Sequence, residues 1–78
     1  MEQEKLNLND FQDERREIVV KALKRAEKEN RVMIVGHDYD DQMFVDDAVD
    51  YCPFTELRGV FATVYPDGTI EHGFVEQN

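Results

Sequence analysis

Six aspartates fall within thirteen consecutive residues, and this run is the part of the sequence best suited to chemistry. The run extends from residue 38 to residue 50 and contains no lysine, arginine or histidine. Exposed carboxylates stay ionised at neutral pH, so the run concentrates negative charge, while a tyrosine and a methionine within it can add apolar contacts. The candidate partner-binding residues are therefore Asp38, Tyr39, Asp40, Asp41, Met43, Asp46, Asp47 and Asp50.

A cation site is one chemistry that such a run suggests. His37 and the aspartates that follow it offer imidazole and oxygen ligands. The spacing does not fit a calcium-binding EF-hand loop, because with Asp38 in the first position Met43 stands where glycine is required and Val49 where glutamate is required. A capping turn explains these residues better, and we expect neither a metal ion nor another cofactor.

Nucleophilic catalysis would need the single cysteine, Cys52, beside one of the two histidines, His37 or His72. Cys52 falls on the predicted apolar side of its element just before Pro53, where a thiol is usually buried and unreactive. His72 is expected on the core face, where most histidines serve packing. The four glycines form no phosphate-binding pattern. We therefore expect that the protein is not an enzyme.

The first element that must position these residues is a helix from about Asp10 to Glu29. Phe11, Ile18, Ala22 and their neighbours recur at the spacing of one helical face. Acidic side chains lie near its start and basic ones near its end, as the helix dipole favours. Asn30 can end the helix in a left-handed conformation.

The acidic run itself is predicted to form a second helix. The β-branched segment 32–35 predicts a short strand, which Gly36 ends. Asp38 can then cap a helix that continues to about Tyr51, since Pro53 disfavours a helical residue before it. A helix would place most of the aspartates on one outward ridge, at a small cost from like-charge repulsion.

The last predicted element is a β-hairpin, with strands at 58–65 and 69–76 around Pro66-Asp67-Gly68. Its loop pairs Val64 with Ile70 and Ala62 with His72. These four residues, with Val60 and Phe74, form the predicted core face. The opposite face would be left open, which predicts a homodimer with the possible interface residues Phe61, Tyr65 and Val75.

These elements predict an α+β fold in which two helices pack on a small three-stranded sheet, in the order α-β-α-β-β with a C-terminal β-hairpin. A chain of 78 residues supports one hydrophobic core. We expect residues 1–8 to form a flexible N-terminal segment and residues 9–78 to form a single domain.

The net charge of −9 is distributed unevenly along the chain. Residues 1–31 carry eight acidic and eight basic residues, whereas residues 32–78 carry ten acidic residues and one base, Arg58. Such a charge argues against direct binding to nucleic acid or to an anionic membrane and favours a basic partner. One cysteine and no apolar run of signal-peptide length indicate the cytoplasm.

In size, charge and the run from Asp38 to Asp50, the chain resembles the small acidic, phage-type DNA mimics that inhibit host nucleic-acid-binding proteins. The resemblance implies that the carboxylates stand in for phosphates and occupy the DNA-binding surface of such a protein. A histone-like nucleoid protein such as HU is a candidate target. DNA would then be excluded by competition, in the host cytoplasm or nucleoid.

A second interpretation assigns the acidic helix to solubility alone, since acidic faces of this kind are common on small domains. The chain would then be a regulatory or structural interaction domain that binds a partner through its exposed sheet face, with Phe61 and Tyr65 in the contact.

Overall fold

A computed structural model describes residues 6–52 and 59–75 of the chain. Within these residues it shows an α+β fold, with one α-helix packed on a four-stranded antiparallel sheet. The helix α1 spans Asp13–Glu29, and the strands are β1 (Met33–His37), β2 (Met43–Asp47), β3 (Gly59–Val64) and β4 (Ile70–His72). Two short 3-10 turns cover Leu8–Asp10 and Ala48–Asp50. The strand order is β2-β1-β3-β4.

The first helix is confirmed, with its start three residues later than predicted. Val19, Ala22 and Ala26 bury the apolar face of α1 against the sheet, as the spacing of the apolar residues indicates. Asn30 ends the helix in the left-handed region at φ 53°, and its N–H donates to the carbonyl of Ala26. The sequence prediction of this C-terminus was therefore correct.

The predicted second helix is wrong, because the acidic run forms a tight turn and strand β2. The Asp38 carboxylate accepts hydrogen bonds from the N–H groups of Asp40 and Gln42, at 2.9 and 3.0 Å. Asp41 has a positive φ of 63°, which interrupts any helix. Aspartate bonds readily to nearby backbone and is a poor helix former, so the local cost of a helix here is avoided.

Strand pairing within the sheet is the second reason why the acidic run forms a strand and not a helix. Strand β1 lies inside the sheet and needs hydrogen-bonding partners along both edges. Strand β2 supplies one edge, with Val35 opposite Val45 and Met33 opposite Asp47. β3 supplies the other, with Val35 opposite Ala62. The predicted arrangement of two helices and three strands is thereby replaced by one helix and four strands in the described residues.

The C-terminal hairpin has the predicted register. Val64 pairs with Ile70 and Ala62 with His72, and Gly68 takes a left-handed φ of 92° in the turn. The strands are shorter than predicted, and Arg58 and the residues after Val75 lie outside the described part. His72 was expected on the core face, but it is exposed because β4 ends there at the edge of the sheet.

A β-bulge decides which way Phe61 faces. The pairing of β1 with β3 shifts between Val35 and Gly36, so that Phe61 is the extra residue. Its side chain packs on the helix side, with its ring centroid 6.0 Å from that of Phe11 and the Arg15 guanidinium 4.7 Å above it. The prediction that Phe61 lies on the outer face is wrong, since strict alternation of side chains fails at a bulge.

The face of the sheet opposite α1 also has a buried centre. Ile34 and Thr63 are paired across the strands and fully buried there. The Thr63 hydroxyl donates to the Gly73 carbonyl at 2.7 Å and accepts the Val75 N–H at 3.1 Å. Residues 73–75 therefore lie against Thr63 on this face, which was predicted to be open.

Candidate functional site

The β1–β2 connection forms a compact acidic turn, which we call the acidic tip and define as residues 38–42. Its backbone is closed by a hydrogen bond from the Asp38 N–H to the Gln42 carbonyl at 2.9 Å and by one from the Asp41 N–H to the Asp38 carbonyl at 3.1 Å. The Asp38 carboxylate accepts two further backbone N–H groups. Asp38 thus acts as the turn-forming residue, and its predicted role as the N-cap of a second helix is wrong because a strand follows the turn.

Tyr39 is the outstanding side chain of the acidic tip. It is 78% exposed, the larger exposure of the two large apolar side chains that stand out among the described residues. Asp40 and Asp41 follow it and are exposed as well. An aromatic ring among carboxylates offers a partner both contact area and charge.

Asp47 has an interior role that the sequence did not reveal. The residue is only 7% exposed, and its carboxylate lies 2.6 Å from the Arg31 Nη1. The same carboxylate accepts the Val49 N–H at 3.5 Å, which caps the 3-10 turn Ala48–Asp50. Asp47 therefore does not contribute an exposed charge to a partner surface.

The remaining candidate residues are spread along β2 and beyond it. Met43 begins the strand opposite His37 and is half-buried. Asp46 is half-buried, and its carboxylate accepts the Asp47 N–H at 2.9 Å. Asp50 is exposed in the 3-10 turn. No helical ridge brings these carboxylates together, because strand β2, with five residues at about 3.4 Å per residue and thus about 17 Å long, lies between the acidic tip and Asp50.

The unequal distribution of charge persists in three dimensions. The described residues from 32 onward include eight acidic residues and neither lysine nor arginine. Helix α1 instead carries both signs, and two of its exposed ion pairs join Arg16 to Asp13 at 3.1 Å and Arg25 to Glu29 at 2.8 Å. The sheet layer is thus anionic and the helix layer is mixed. Proximity in sequence was enough to predict this division.

The other chemical candidates do not form a site. Cys52 was expected to be buried and is exposed. The His37 ring packs against the Phe61 ring, with the two ring centroids 5.3 Å apart. His37 therefore has a packing contact. Within residues 6–52 and 59–75, no group of three or more histidine, cysteine, aspartate or glutamate side chains could hold a metal ion.

A surface depression of about 530 Å³ lies between the N-terminal residues and the β3–β4 turn. Its lining includes the apolar side chains Leu6, Leu8, Leu23 and Ile70 beside polar residues of segment 7–10. Leu6 and Leu8 also pack against the core. The depression contains no cluster of charged or nucleophilic groups, so we assign it to packing of the N-terminal segment.

No family model matches the chain, and no curated protein or solved structure is significantly similar to it. Among the described residues, no helix combines the length and apolar character needed to cross a membrane.

Proposed function

We propose that this protein binds a basic nucleic-acid-binding protein through the acidic tip and excludes nucleic acid from it by competition. The observation that carries the proposal is the exposed Tyr39 ring beside Asp40 and Asp41, on a layer whose described residues have no lysine or arginine to neutralise them. A histone-like nucleoid protein such as HU remains the candidate target.

The turn geometry supports a binding role because it holds the tip in one shape. Four backbone hydrogen bonds converge on Asp38, two at its carboxylate and two at its backbone. A surface that is already ordered loses less conformational entropy on binding. Tyrosine is enriched among the residues that contribute most to interfaces. The tip therefore combines an anchor with charges that a lysine- and arginine-lined groove would attract.

The mode of mimicry differs from the helical ridge expected from the sequence. The acidic tip presents carboxylates at the end of a hairpin, and Asp50 adds charge beyond the far end of β2. A basic groove that accommodates nucleic acid has room for such a protruding turn. Attraction between exposed charges is screened by salt, so the complex should weaken steeply as ionic strength rises.

Affinity capture tests the proposal. The protein is immobilised and exposed to a bacterial lysate at about 50 mM salt, and retained proteins are eluted with duplex DNA. We expect basic nucleic-acid-binding proteins in the DNA eluate. Each one is then purified, and displacement of labelled duplex DNA from it by the soluble protein is measured by fluorescence anisotropy.

A charge-matched pair of variants separates the acidic tip from general acidity. Asp40→Lys with Asp41→Asn alters the tip, and asparagine tolerates the left-handed backbone at position 41. Glu14→Lys with Glu17→Gln makes the same charge change on the exposed face of α1. The tip variant should lose capture and displacement, and the helix variant should keep both. Equal losses in the two variants, or retention without displacement of DNA, would contradict the proposal.

A regulatory or structural interaction domain is the second candidate function. Val49 favours it, because this apolar side chain is 70% exposed two residues before Tyr51, whose ring packs 4.7 Å from that of Phe74. In this case the aspartates serve solubility, and a partner binds the apolar surface. Partner binding would then survive the tip variant and high salt but fail in Val49→Ser.

A further inference from the structure

We propose that the outer edge of β2 binds an extended lysine- or arginine-rich segment of the partner, which adds a fifth strand to the sheet. This inference rests on the proposed function and names the form of the segment that the partner contributes. Addition of a strand to an exposed sheet edge is a recurrent mode of peptide recognition, in which main-chain hydrogen bonds hold the segment.

The hydrogen-bond phase of the β1–β2 pair shows which groups face outward. The Ala48 N–H donates to the Val32 carbonyl, and the Asp38 N–H donates to the Gln42 carbonyl. Antiparallel pairs alternate between bonded and non-bonded positions, so Phe44 and Asp46 bond to β1. Met43 and Val45 consequently direct their N–H and C=O groups away from β1. No hydrogen bond to these outward groups is present within residues 6–52 and 59–75.

The two edges of the sheet differ in how they are protected. Strand β4 has three residues, and the N–H of Leu6 donates to its Ile70 carbonyl at 2.9 Å. Strand β2 has five residues, and the protection visible there is the Asp46 carboxylate on the Asp47 N–H. An exposed edge invites pairing with another chain. With partners counted only from residues 6–52 and 59–75, the outward groups of Met43 and Val45 are the part of the β2 edge left available for such pairing.

Charge selects the occupant of this edge. Asp40 and Asp41 precede β2, and Asp50 follows it, so a segment paired along β2 meets exposed carboxylates near both of its ends. A second copy of this chain would bring its own acidic strand and a net charge of −9, and like charges repel. An extended segment with lysine or arginine near its ends complements the same positions.

A defined peptide tests the inference without the natural partner. An eight-residue peptide that alternates lysine with valine or threonine is titrated into the full chain at low salt. The matched probe has the same sequence with an N-methyl group on every residue, which keeps the charge and removes the main-chain donors of both edges of the peptide. We expect the unmethylated peptide to bind at least about tenfold more tightly. Equal affinities, or no binding of either peptide, would overturn the added strand.

Amide hydrogen exchange locates the contact on the protein. In the free chain the Met43 and Val45 amides should exchange rapidly and the Phe44 amide slowly, because the latter faces β1. Saturation with the unmethylated peptide should slow exchange at Met43 and Val45 at least about tenfold. Unchanged exchange at both amides in a complex that forms would contradict pairing at this edge.

A backbone variant provides the third measurement. Val45→Pro removes the outward N–H without removing a bond to β1, since proline is tolerated on edge strands with that side facing solvent. Val45→Ala is the control for the lost side chain. Peptide affinity should fall in the proline variant and persist in the alanine variant, while thermal unfolding shows that both are folded. Should proline unfold the chain, the N-methylated peptide and the exchange data still decide the question.

The two proposals fail in different ways. If the peptides bind equally but a captured protein is still displaced from DNA, the acidic tip functions and strand addition is wrong. If the peptide adds to β2 but no nucleic-acid-binding protein is captured, the edge is real and the proposed function is wrong.

Discussion

The Arg31 guanidinium lies 2.6 Å from the Asp47 carboxylate and joins the residues that follow α1 to the end of β2. The Asp47 side chain is 9% exposed and that of Arg31 is 59% exposed. Water therefore reaches the guanidinium but screens its attraction to the carboxylate only in part. The ion pair converts one aspartate of the acidic run into a structural residue. The remaining acidic residues are thereby positioned by a strand whose end is anchored.

Loss of this ion pair should destabilise the fold. Removal of Arg31 leaves a buried carboxylate without its cation, and we expect Arg31→Ala to lower the free energy of unfolding by about 1–2 kcal/mol. The control is Arg25→Ala, whose exposed pair with Glu29 should contribute about 0.5 kcal/mol or less. Urea unfolding measures both. Equal losses in the free energy of unfolding would show that the Arg31–Asp47 pair contributes no more than an exposed ion pair.

The Thr63 hydroxyl should hold the C-terminal residues on the sheet. Thr63→Val keeps the shape of the side chain but removes the hydroxyl that bonds to the Gly73 carbonyl and the Val75 N–H, at a cost of about 1–3 kcal/mol. Exchange of the Val75 amide should accelerate in this variant. Thr63→Ser restores the hydroxyl and should recover slow exchange. An unchanged Val75 amide in Thr63→Val would refute this role.

Gly36 is required by the close approach of β1 and β3 at the bulge. A Cβ at position 36 would lie 2.0 Å from the Gly59 carbonyl oxygen, so the backbone must shift. We expect Gly36→Ala to cost about 3 kcal/mol or more and to reduce the folded fraction seen by circular dichroism. Gly59→Ala is the matched control, since no non-neighbouring residue within 6–52 and 59–75 lies within 4 Å of its Cβ position. Similar stability of the two variants would contradict the bulge geometry.

Tyr39 should matter for binding and not for stability. Its exposure of 78% means that Tyr39→Ser should change the free energy of unfolding by no more than about 0.5 kcal/mol. Affinity for the captured partner should fall about tenfold or more. Val49→Ser is the comparison, because Val49 is the other markedly exposed large apolar side chain in the described part of the chain. A greater loss of affinity in Val49→Ser would favour the interaction-domain alternative.

The parts of the fold with dominant local signals were predictable. The period of the apolar residues predicted α1, and the left-handed Asn30 at its end is observed. Pro66 and Gly68 predicted the turn that sets the register of Val64 with Ile70. In both places neighbouring residues interact with one another, so a short stretch of chain contains the information.

The acidic run was mispredicted because its local pattern is ambiguous. Asp38 can cap a helix or close a turn, and the apolar residues that follow fit a helix face about as well as an alternating strand. The choice between helix and strand depends on β1. One edge of β1 pairs with β3, from a later part of the chain, and its other edge pairs with β2. Composition was enough to select the candidate residues, but it did not show which of them lie together in the fold.

The sequence alone determined that this chain is an α+β domain with its excess negative charge beyond residue 31, because composition and short-range periodicity do not depend on how the elements meet. The tertiary structure decided that Asp47 is buried against Arg31 while Tyr39 stands exposed at a hairpin tip. Burial and exposure are set by strand pairing between residues far apart in the chain, and no local pattern specifies that pairing.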